Sequence, residues 1–76
     1  MSRLPIVGFR EMESLLLRLG FERTRQRGSH VFYRHADGRT TTLPTPTGRD
    51  LARSLLREVL REIELNPEHF RELLRR

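Results

Sequence analysis

Apolar residues recur along this chain in two different rhythms. Phe9, Met12, Leu15, Leu16 and Leu19 return every three or four positions, the spacing of one helix face. Gly20 follows them as a left-handed cap, so a helix is predicted over 8–19. The rhythm then shortens. Residues 21–27, 30–35 and 39–43 read as three short strands separated by turns at Gly28-Ser29 and Ala36-Asp37-Gly38. Threonine, which favours strands, fills the third. Pro44 and Pro46 close the strand region. The helical rhythm returns with Leu51, Leu55, Val59 and Ile63, widened by Ala52, Leu56 and Leu60. Thr47 with Asp50 three residues on resembles a capping box and predicts a long helix from 47 to about 64. Asn66-Pro67 predicts a new helix start, with Leu65 and Phe70 at the positions of a hydrophobic staple and the helix running over 67–75.

The order helix, three antiparallel strands, helix, short helix gives an α+β fold in which a sheet packs on helices as a two-layer sandwich. This is the α-β-β-β-α arrangement of a double-stranded-RNA-binding-like domain. With 76 residues the chain suits one domain spanning 1–76. A core this thin is marginal alone, so a partner protein or a homodimer would reinforce it. There is no cysteine, which excludes disulfides and cysteine-based metal sites. Behind Met1-Ser2-Arg3-Leu4-Pro5 no long apolar run follows, so no signal peptide, no membrane contact and a cytoplasmic location are expected.

Charge changes the picture most. All fifteen basic residues other than histidine are arginine. Residues 1–49 carry nine arginines against Glu11, Glu13, Glu22 and Asp37, net +5, whereas 50–76 balance six arginines with six acids. The excess concentrates in 23–39, where five arginines face one acid. Such a patch is what an anionic partner would meet. Arg23, Arg25 and Arg27 alternate along the first strand, and with a two-residue Gly28-Ser29 loop Arg27 lies opposite His30, Arg25 opposite Phe32 and Arg23 opposite Arg34. One sheet face is thus expected to carry Arg23, Arg25, Arg27, His30, Phe32 and Arg34, with Val31 and Tyr33 turned to the helices.

His30 is the candidate for proton transfer, because imidazole changes charge near neutral pH. The arginines, with Gly28 and Ser29 at the turn, are the candidate phosphate contacts, and Phe32 a stacking platform for a base. The plain alternatives are a solvated sheet face, turn glycines and a core or interface phenylalanine. His35 points to the other face and His69 is remote, so both are read as structural. One histidine without a neighbouring carboxylate does not make a zinc site, and no metal or cofactor is expected.

In their order, Leu19-Gly20-Phe21, Arg25, Gly28-Ser29-His30, Tyr33, Asp37-Gly38-Arg39, Leu43-Pro44, Leu56-Arg57, Val59-Leu60-Arg61 and Asn66-Pro67-Glu68 with Phe70 resemble the HicA family of toxin ribonucleases. The resemblance runs from about Leu4 to Phe70. It implies the toxin half of a type II toxin–antitoxin pair. The activity it implies is metal-independent endoribonuclease cleavage of mRNA, with His30 as general acid/base. A HicB-like antitoxin would cover the active face. Many members carry a histidine where Pro46 stands and a glycine where Ser54 stands, so a one-histidine mechanism is required here. The rival readings are a non-catalytic RNA-binding module and a degenerate toxin that retains only antitoxin binding.

Overall fold

The computed structural model describes residues 3–46 and 48–76. In chain order it contains α1 (Phe9–Arg18), β1 (Phe21–Arg27), β2 (His30–His35), β3 (Thr40–Pro44), α2 (Arg53–Glu62) and α3 (Pro67–Leu74). The strands form one antiparallel sheet in the order β1-β2-β3, so β2 is central. This is the expected α+β arrangement.

Helix α1 starts at Gly8, whose N–H donates to the Glu11 carboxylate at 3.1 Å. It ends where Gly20 adopts φ 98°, a conformation that only glycine takes without strain. Its buried stripe of Phe9, Met12, Leu15 and Leu16 covers one face of the sheet. From the sheet, Phe21, Val31, Tyr33 and Leu43 enter the same core. Leu56, Val59 and Leu60 of α2, then Ile63 and Phe70, complete it. The helices thus cover one face and leave the other open.

Helix α2 begins six residues later than the sequence suggests. Thr47 lies outside the described residues, and the helix is capped by Ala52, not by Thr47. The reason is a competing set of long-range hydrogen bonds. Gly48 is left-handed at φ 82°, and the Leu51 N–H donates to the Val7 carbonyl at 2.8 Å. Arg53 Nε donates to the Leu4 carbonyl at 2.7 Å. The approach to α2 is therefore a non-helical segment, bent at 48–49 and stitched to the chain before α1. Leu51 stays buried, which is why the apolar rhythm continues through it.

The far end of α2 is a Schellman cap without its glycine. Glu64 takes φ 59°, the Leu65 N–H donates to the Leu60 carbonyl at 3.0 Å and the Glu64 N–H to that of Arg61 at 3.2 Å. The Arg39 guanidinium adds a further bond, donating to the Ile63 carbonyl. Helix α3 starts as expected: the Asn66 side chain accepts from the His69 N–H at 2.8 Å, and Pro67 occupies the first turn.

Candidate functional site

The site is built on the β1–β2 hairpin. Gly28 has φ 59°, while Ser29 is not left-handed, which matches a two-residue loop with glycine at the first central position. The Ser29 carbonyl accepts from the Thr45 N–H at 2.8 Å, so the loop is pinned to the chain leaving β3. This fixes the start of β2 and with it the position of His30.

The register then assigns the faces. His30 pairs with Arg27 on one side and Pro44 on the other; Phe32 pairs with Arg25 and Thr42; Arg34 pairs with Glu22 and Thr40. Val31 and Tyr33 are buried among the helices, so His30, Phe32 and Arg34 project from the open face. His30 is exposed and Phe32 half-buried. The Arg25 guanidinium lies over the Phe32 ring, 5.0 Å from its centroid, a cation–π contact that holds both groups on the surface. The open face therefore brings together Arg25, Arg27, His30, Phe32 and Arg34, with Gly28 and Ser29 at its rim.

Arg23 does not join them. The β1–β2 register shifts between Arg23 and Arg25, so Arg23 pairs with Tyr33 and Glu22, not Arg23, lies opposite Arg34. Thr24 is the extra residue of a β-bulge, its hydroxyl donating to the Phe32 carbonyl at 3.2 Å. Arg23 is turned to the helix side. Its Nη2 donates to Gln26 Oε1 at 2.9 Å, and its Nη1 lies 3.6 Å from Glu13 Oε2. That carboxylate oxygen also accepts the Tyr33 hydroxyl at 2.5 Å. Burial first, then this bond to a carboxylate, pushes the Tyr33 phenol far above its ordinary value. Tyr33 is a packed structural residue, as expected. Among the described residues neither Arg27 nor Arg34 takes part in an ion pair, so their charge remains available on the open face.

The other histidines stand apart. His35 Nδ1 accepts from the Asp37 N–H at 3.1 Å, and the ring meets Phe21 edge-on at 5.1 Å between centroids. The same nitrogen is 3.0 Å from Asp37 Oδ1, a contact that becomes an ion pair only when the ring is protonated. The Arg39 backbone N–H, above all, and its guanidinium hold the Asp37 carboxyl below the usual carboxylate range. Asp37 thus organises the β2–β3 turn and leaves the open face alone. Pro46 is exposed, and Ser54 lies exposed in α2. Among the described residues no group of three or more His, Asp or Glu side chains could hold a metal ion. No helix among them is long and apolar enough to cross a membrane.

Sequence reasoning missed two residues. A cleft of about 240 Å³ opens where β3 meets α2, and His30 lines it together with Thr42, Pro44, Leu55, Glu58, Val59 and Glu62. Glu58 and Glu62 read from sequence as the solvated back of a helix. Their spacing from Leu55 and Val59, all within two turns, was the available signal that they share an edge with the apolar stripe.

An antiparallel three-stranded sheet with helices on one face, in the order α-β-β-β-α, defines the double-stranded-RNA-binding-like class. A family model described as "HicA toxin of bacterial toxin-antitoxin" matches residues 9–65, three quarters of the chain. The chain belongs to the HicA toxin family and is the toxin of a toxin–antitoxin system, whose partner is an antitoxin. No curated protein gives a significant match.

Proposed function

We propose that the chain is a metal-independent endoribonuclease that cleaves mRNA, with His30 as its general acid/base. The observation that supports this reading is an exposed imidazole on the open sheet face, bracketed by Arg27 and Pro44 and next to the Arg25–Phe32 pair. The imidazole takes the proton of a ribose 2′-hydroxyl, the 2′-oxygen bonds to the adjacent phosphorus, and the bond from phosphorus to the 5′-oxygen breaks as that oxygen gains a proton from water or from the imidazolium. Arg25, Arg27 and Arg34 offset the charge that grows on the phosphoryl oxygens. Phe32 offers a face for a base, and Gly28 and Ser29 offer backbone N–H and hydroxyl groups at the turn. The products are a 2′,3′-cyclic phosphate and a 5′-hydroxyl. A HicB-like antitoxin inhibits by covering the His30 face.

The test is cleavage of RNA in EDTA by the wild type and by His30→Ala. His30 is exposed, so its removal should leave stability within about 0.5 kcal/mol, checked by circular dichroism and urea unfolding. Cleavage lost in the folded variant, with cyclic phosphate ends and an all-DNA control intact, supports the reading. Undiminished cleavage by the variant, or a 3′-hydroxyl product, overturns it. RNA binding with no cleavage by either protein points to the binding module.

A further inference from the structure

We propose that the cleft between His30 and α2 is a nucleobase subsite, selective for an unpaired base bearing an exocyclic amino group. It rests on the ribonuclease reading and deepens it by assigning the base beside the cleaved phosphate. The cleft adjoins His30, the residue assigned to proton transfer. At about 240 Å³ it is smaller than the roughly 300–1,000 Å³ typical of drug-sized ligands, which suits one planar ring system.

Its chemistry differs from that of the surrounding face. Pro44, Leu55 and Val59 give it apolar walls, and Glu58 and Glu62 are the acidic residues that line it. On a face otherwise lined with Arg25, Arg27 and Arg34, this is where an anionic phosphate is repelled and a neutral ring is accepted. Glu62 is held in place, because its Oε1 accepts the Thr41 hydroxyl at 2.8 Å and Thr41 is itself buried. Glu58 forms a solvent-exposed ion pair with Arg61 at 3.0 Å. Ionised carboxylates only accept hydrogen bonds. Adenine and cytosine offer an amino group, and guanine offers an amino group beside a ring N–H, a pair that one carboxylate can meet twice. Uracil offers one ring N–H set between two carbonyl oxygens, which the same acceptors repel, and is disfavoured.

The experiment uses DNA oligonucleotides carrying one ribonucleotide, with the bases on both sides of the cleavable phosphate varied. Single-turnover cleavage should favour an amino-bearing base over uracil on one side by about ten-fold or more. Glu58→Gln and Glu62→Gln should bring that ratio toward one, since glutamine adds an N–H donor that suits uracil. Titration with the four nucleoside 3′-monophosphates, followed through the methyl signals of Leu55 and Val59, reads the cleft without cleavage. Larger shifts with the guanosine than with the uridine compound support the subsite, even if no substrate is cut and the ribonuclease reading fails. Cleavage without base preference, or methyl signals that do not move, overturns the subsite and leaves the ribonuclease reading standing. An equal fall for all four bases in the glutamine variants also overturns it.

Discussion

Replacing Tyr33 by phenylalanine removes one oxygen atom and should expose how the helix side of the sheet is held. The ring is buried, with 1% of its surface exposed, and its hydroxyl donates to Glu13 Oε2 at 2.5 Å. Hydrogen bonds to charged groups contribute about 1.5–3 kcal/mol. Glu13 keeps Arg23 at 3.6 Å and retains some solvent, so the loss should fall near the lower end, about 1.5 kcal/mol. For a domain of this size that lowers Tm by roughly 6–12 °C at neutral pH. The pH dependence is the sharper readout. The folded phenol is raised above the unfolded value of about 10, so the unfolded chain loses its proton first. The stabilisation is complete below pH 10 and is lost as pH rises toward the folded value, by about 1.4 kcal/mol for each pH unit. Wild type and Tyr33→Phe should therefore converge near pH 11. The assay is unusually clean, because the chain has one tyrosine and no tryptophan, cysteine or lysine. Phenolate absorbance then reports Tyr33 alone, while arginine stays charged. Half-titration near pH 10 in a chain that circular dichroism shows to be folded would refute the reasoning, as would a stability gap that does not change with pH.

Glu64 sits at φ 59°, where an L-residue is strained by about 1–2 kcal/mol, so Glu64→Gly should raise urea-unfolding stability by about 0.5–1 kcal/mol after the glycine's larger unfolded entropy. Phe70→Ala empties a fully buried site and should cost about 3–5 kcal/mol, measured as a fall in the urea midpoint. On single-stranded RNA, Arg25→Ala and Arg27→Ala should each reduce the slope of log affinity against log salt by about 0.7, whereas Arg23→Ala should leave it unchanged.

Most of the scaffold is readable in the chain because local signals agree with tertiary packing. The helix rhythm, Gly20, the Gly28-Ser29 loop and the Asn66-Pro67 start all demand what the fold supplies. The start of α2 was hidden because Thr47 and Asp50 carry a local cap signal that long-range bonds from Leu51 and Arg53 to the Val7 and Leu4 carbonyls override. His30, Arg25, Arg27 and Phe32 share a face as the pairing parity requires. Arg23 escaped because parity holds only along an unbroken ladder. Glu58 and Glu62 escaped because a cleft between two elements leaves no mark in the pattern of either.

The extra residue at Thr24 acts as a phase inverter. Phe21, Arg25 and Arg27 are all odd-numbered, and an uninterrupted strand would send all three the same way. Phe21 must enter the core, so without the inversion both arginines would follow it inward, away from His30. With the inversion, one strand anchors its first half and displays its second. Deleting Thr24 should therefore abolish the bulge and leave every pairing as it is, with Phe21 in the core, Arg25 opposite Phe32 and Arg27 opposite His30. What would silence the open face is Thr24 taken into the ladder, the strand keeping its length and losing its change of phase.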